Sequence, residues 1–137
     1  MSFPREDLAI EIRTWKLREL LKWRGYLEIL VEAVKTVFGE GAEAYVFGSA
    51  VEGKLTVDSD VESAIVLEEP PRTSREKSRL LSRLWRVMEE KGVPWWYPFE
   101  IHMLTKEELS LLEGAKLARA LRTTTKMKSF LRQKNML

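Results

Sequence analysis

Three carboxylates in this chain stand where they could hold a hard metal ion. Asp60 and Glu62 are separated by one residue, and Glu100 lies between Phe99 and Ile101. Along an extended strand, side chains i and i+2 leave the same face, so Asp60 and Glu62 project together with Val61 opposite. Two adjacent carboxylates repel unless cations neutralise them, and hard oxygen ligands of this kind suit Mg²⁺ or Mn²⁺. By the same alternation Glu100 and His102 share one face of a later strand, while Phe99 and Ile101 share the other. An acid inside an apolar strand calls for a partner. If the two strands are neighbours, all three carboxylates converge. Phe47-Gly48-Ser49, ten residues before Asp60, supplies a second part. Glycine lets the backbone approach a ligand closely, and the hydroxyl and N–H groups after it can cradle phosphate oxygens. Such parts suit a metal-bound triphosphate. Two metal ions about 3.5–4 Å apart activate an attacking hydroxyl and stabilise a pyrophosphate leaving group. The protein then contributes positioning and charge rather than covalent chemistry.

These residues need elements to position them. Residues 5 to 38 follow a helical pattern, with Leu27, Leu30, Val31, Val34, Val37 and Phe38 on one face. Gly25 is expected to separate an earlier helix (Leu8, Ile12, Trp15) from this one, because glycine weakens a helix interior. Ala44 to Phe47 reads as a buried strand and Asp60 to Leu67 as a second, closed by Pro70-Pro71. Thr73-Ser74-Arg75-Glu76 fits a capping box, opening a helix with Leu80, Leu81, Leu84, Trp85 and Met88 on one face. Phe99 to Leu104 is the third strand, and Thr105 to Glu108 caps a last helix. The order helix, strand, strand, helix, strand, helix predicts an α/β two-layer (α+β) domain. Its small mixed β-sheet is covered by helices on one side.

Composition bounds the possibilities. A chain of 137 residues has room for one domain, 1–137, and 45% hydrophobic with 32% charged residues is a globular balance. The absence of cysteine excludes disulfides, thiolate metal sites and cysteine nucleophiles. No signal peptide is read at Met1-Ser2-Phe3-Pro4, and no apolar run approaches the roughly 20 residues of a membrane span; a cytoplasmic location is expected. Residues 114–137 carry seven basic residues and no acid, which leaves −5 on residues 1–113 out of a total of +2. This basic C-terminal tail either touches something anionic or is a solvated helix. An acidic body argues against nucleic acid as the main partner, since phosphate contacts need a broad cationic surface.

Phe47-Gly48-Ser49, the ten-residue gap, Asp60-Val61-Glu62 and Phe99-Glu100-Ile101 together resemble the three signatures of the polymerase-β-type nucleotidyltransferase superfamily. The chain's size is similar to that of the minimal nucleotidyltransferase (MNT) branch. The resemblance covers residues 27–112 as a nucleotidyltransferase core, preceded by an N-terminal helix over 1–25. It implies that Gly48 and Ser49 bind the triphosphate of a nucleotide, ATP being the expected one, with Lys54 as the nearest cation. It implies that Asp60, Glu62 and Glu100 ligate Mg²⁺ or Mn²⁺, and that Glu100 helps to activate an acceptor hydroxyl. It also implies a HEPN-type helical protein as a partner in a toxin–antitoxin pair, or a homo-oligomer, either of which would complete the acceptor pocket. Three positions differ from the usual pattern: Glu62 stands where Asp is common, Ser63 where an apolar residue is common, and Ala50-Val51-Glu52 where a basic residue often follows Gly-Ser.

Other readings of the same residues stay open on the sequence alone. Asp60 and Glu62 could be a solvated strand start, and Glu100 an edge-strand acid paired with a lysine or arginine. His102 reads more readily as a structural residue, with a supporting role beside Glu100. Trp95-Trp96-Tyr97 could stack on a base, though one ring in the core and another at a partner chain is the better expectation.

Overall fold

The computed structural model describes residues 5–113 and 121–122. Its elements run α1 (Arg5–Leu20), α2 (Trp23–Phe38), β1 (Glu43–Phe47), α3 (Ser49–Glu52), β2 (Val61–Val66), α4 (Ser74–Glu90), β3 (Phe99–Leu104), α5 (Lys106–Glu113) and β4 (Leu121–Arg122). The strands form one mixed sheet in the order β3-β2-β1-β4. β1 and β2 are antiparallel, and β2 and β3 are parallel. A parallel pair needs a crossover, and α4 provides it. No described helix is long and apolar enough to cross a membrane.

Alternation along the strands divides the sheet into two faces. Ala44 and Val46 of β1, Val61 and Ile65 of β2, and Phe99 of β3 pack beneath Leu27, Leu30 and Val34 of α2 and Leu84 and Met88 of α4. The opposite face presents Tyr45, Phe47, Ala64 and Val66, joined by Leu109 of α5. The expected α+β layering therefore holds, with α5 covering part of the second face. Both expected helix caps form, the second as a full reciprocal capping box. The Thr73 hydroxyl accepts from the Glu76 N–H at 3.1 Å; Thr105 and Glu108 cap each other's backbone N–H at 3.1 and 3.2 Å.

Three expectations about boundaries are corrected. Gly25 does not separate the first two helices; the break falls at Leu21-Lys22, and Gly25 lies inside α2. A helical glycine costs about 1 kcal/mol, whereas burying Trp23 and Leu27, each 2% exposed on either side of it, returns about 1.5–3 kcal/mol apiece. Packing wins over propensity. Asp60 lies outside the second strand, which starts at Val61, and the connection after Gly48 contains the short helix α3. Finally, Leu121–Arg122, in the segment read as a basic tail, pair with Tyr45 and Val46 as β4. A two-residue strand is too short to announce itself by periodicity. The rest of residues 114–137, including Thr123-Thr124-Thr125, lies outside the described residues.

Tyr97 holds α1 to this body. Its hydroxyl donates to the Leu20 carbonyl at 2.7 Å, satisfying one acceptor that the helix end leaves free. Its ring packs edge-on against Tyr26 and Phe99 at centroid distances of 4.6 and 5.0 Å. Burial pushes the Tyr97 phenol well above its ordinary range. Of the Trp95-Trp96-Tyr97 run, Tyr97 is thus the core ring, while Trp95 remains 76% exposed.

Candidate active site

β2 and β3 run parallel in a register that sets Glu62 beside Glu100 and Ala64 beside His102. Neighbouring strands are about 4.8 Å apart, so the two carboxylates stand next to each other on the face away from α2 and α4. His102 lies two residues along β3 on that face, and its Nε2 is 3.4 Å from Glu100 Oε1. One ligand atom from each of Glu62, Glu100 and His102 falls within 4.8 Å of the others. The side chains of Glu100 and His102 are 48% and 41% exposed. That openness makes their contact weak as a source of stability, but leaves both groups accessible to a ligand. Beneath them is the buried ring of Phe47, whose Cα partner on β2 is Glu62 and whose centroid is 6.1 Å from the His102 ring.

Gly48 follows Phe47 at the end of β1 with φ 75 and ψ −145, backbone that a side chain disfavours. Space forbids a side chain as well: a Cβ at this position would collide with Glu62 Oε2. The Gly-Ser turn and the carboxylate cluster are therefore in direct contact. Ser49 opens α3, and the Lys54 N–H donates to the Ser49 carbonyl at 2.9 Å, which returns Lys54 to the start of that turn. The Lys54 side chain is exposed.

Ser63, one of the departures noted in the sequence, is fully buried on the helix-covered side of β2. Its hydroxyl donates to the Glu100 carbonyl at 3.2 Å, a cross-strand bond at the residue whose side chain enters the cluster. The hydroxyl is thereby satisfied where an apolar residue would only pack.

Asp60 is exposed, immediately before β2, and is not one of the three clustered residues. It lines a cleft of about 300 Å³ together with Lys16, Val57, Asp58, Trp96 and Pro98. The Val61 N–H donates to the Pro98 carbonyl at 2.8 Å, so this cleft lies at the strand ends from which Glu62 and Glu100 arise. The turn before it is fixed by Ser59, whose Oγ accepts from the Thr56 N–H at 2.8 Å.

A family model described as a nucleotidyltransferase domain matches residues 27–129. The chain belongs to this nucleotidyltransferase family. Neither a curated protein nor a solved structure matches it. Nucleotidyltransferases of this family typically use divalent metals, and two carboxylates with an imidazole are donors that a divalent ion can accept. A nucleotide is the substrate that the family implies. Among the residues that the sequence singled out, Glu62, Glu100 and Gly48 come together in this nucleotidyltransferase, and Ser49 and Lys54 flank them. His102 joins the cluster more closely than its reading as a structural residue suggests. The signal for it was its i+2 relation to Glu100.

Proposed function

We propose that this nucleotidyltransferase transfers a nucleoside monophosphate from a nucleoside triphosphate, ATP first among them, to an acceptor hydroxyl in the cytoplasm. The acceptor oxygen bonds to the α-phosphorus, the bond from that phosphorus to the bridging oxygen breaks, and pyrophosphate leaves. Glu62 and Glu100, with His102 and with Asp60 at the strand end, would hold Mg²⁺ or Mn²⁺. Such an ion supplies charge stabilisation at the phosphates and a more acidic hydroxyl. Glu100 orients the acceptor hydroxyl and accepts its proton. Gly48 and Ser49 present backbone N–H and hydroxyl groups to the triphosphate, and Lys54 adds a cation. The observation that carries this reading is the side-by-side register of Glu62 and Glu100 against Gly48, in a chain of the nucleotidyltransferase family.

Calorimetric titration tests it without knowledge of the acceptor. Mn²⁺ with a non-hydrolysable ATP analogue should bind the wild type, and Glu100→Gln should weaken that binding by tenfold or more. Wild-type affinity in both Glu62→Gln and Glu100→Gln would rule the site out.

A second reading is favoured by the Glu62 carboxylate, which reaches the place beside Gly48 where a phosphate is expected. In it the chain is a catalytically weak antitoxin subunit that binds a HEPN-type helical partner. Tight binding of such a partner with no binding of the ATP analogue would select it.

A further inference from the structure

α1 is a 16-residue helix whose residues 6–16 are all exposed. Its apolar residues form two opposed stripes rather than one. Leu17 packs against the core below, though Ile10 on the same side is 62% exposed, while Leu8, Ile12 and Trp15, at i, i+4 and i+7, form a continuous stripe that is 56%, 49% and 47% exposed. The Trp15 ring lies 5.1 Å from that of Trp96, which extends the apolar surface onto the body. Isolated helices of this length are marginal in water, and a stripe of this kind calls for a cover.

Charge along the helix says what the cover is. Residues 5–12 carry one basic and three acidic side chains, a net −2; residues 13–20 carry three basic and one acidic, a net +2. A helix with one acidic and one basic half is complementary to itself in the antiparallel sense, the arrangement made by a two-fold axis perpendicular to the helix. We propose that α1 is a homodimerisation helix, pairing antiparallel with α1 of a second copy through Leu8, Ile12 and Trp15.

Helical geometry supports the register. With the axis beside Ile12, Leu8 of one copy meets Trp15 of the other. Asp7 and Arg18 are eleven residues apart, close to three turns at 3.6 residues each, so they lie on one flank. Asp7, five residues before the axis, then faces Arg18 of the second copy, six after it, and symmetry repeats the pair. The chain's own basic segment fits less well, because residues 114–137 carry +7 with no acid and would meet the basic half of α1 unfavourably.

Light scattering on the full chain reads the outcome. The wild type should run at twice its 16.0 kDa mass at tens of micromolar. Asp7→Arg and Arg18→Asp each turn two attractions into two repulsions, which should weaken dimerisation about thirtyfold. Mixing the two variants should restore a heterodimer, since the reversed charges then face their opposites. Circular dichroism confirms that both variants keep their helices. A wild type that stays monomeric to millimolar concentration overturns the proposal. So does an undiminished dimer in either variant, or a mixture that fails to reassociate.

Discussion

Gly48 links two requirements at one residue, a backbone with positive φ and an absent side chain beside the Glu62 carboxylate. Adding a methyl group there costs about 1–3 kcal/mol of backbone strain and displaces the Glu62 carboxylate from its place beside Gly48. Gly48→Ala should therefore lower the unfolding free energy by that amount while weakening Mn²⁺ binding at least tenfold. Paired denaturation and metal titrations check both; unchanged metal affinity would mean that Glu62 is not held by this contact. Much of this site was legible before the fold. Alternation on strands converts sequence distance into facing and set Glu62 and Glu100 on their faces, but their meeting hung on the two strands being neighbours, which the fold supplies. Two residues were less legible for physical reasons. Asp60 sits one residue beyond the ladder, where alternation no longer governs its direction. Ser63 looked like a departure, yet it is buried with its hydroxyl on the Glu100 carbonyl, a partner 37 positions away that no local pattern reveals.

The elements were read best where a chemical stop or start marks them. The two capped helix starts and β3 are where the sequence puts them, whereas the α1–α2 break has neither glycine nor proline at Leu21-Lys22. That junction is instead held from outside. Tyr97, at the end of the loop before β3, reaches the Leu20 carbonyl across 77 positions, and the residue is 2% exposed. A phenol whose folded pKa is raised favours the protonated fold, chiefly through burial. Its contribution to stability is complete below the ordinary value of 10.0 and declines as pH rises beyond it. Wild-type unfolding free energy should thus fall steadily above pH 10. Tyr97→Phe should be less stable at pH 7 by about 1–2 kcal/mol, because the Leu20 carbonyl loses its donor, and should show a flatter alkaline limb. Urea titrations at a series of pH values measure both quantities. Equal alkaline slopes in the two proteins would remove Tyr97 as the linking group.

At the scale of the whole molecule the sheet separates two tasks. The face beneath α2 and α4 is a packed apolar core, and the other face sets two carboxylates side by side. Like charges directly opposed on neighbouring strands destabilise a sheet by about 0.2–1 kcal/mol. A metal ion that binds only the folded state reverses that effect, adding about 2.7 kcal/mol at a hundredfold excess over its dissociation constant. Stability and function should therefore part company in two variants. Glu62→Gln removes one of the opposed charges while leaving the Glu100–His102 contact in place. It should melt slightly above the wild type without metal and gain little when Mn²⁺ is added. Met88→Ala empties a fully buried position under α4 and should cost about 2–5 kcal/mol. Its Mn²⁺ affinity should remain that of the wild type, because the deleted atoms lie across the sheet from the site. Melting curves with and without Mn²⁺ distinguish the cases. If Glu62→Gln melts below the wild type in the absence of metal, the pair is a structural feature of the sheet. If instead it gains stability and loses the response to Mn²⁺, the paired carboxylates are kept, at a cost to the fold, for the ion they bind.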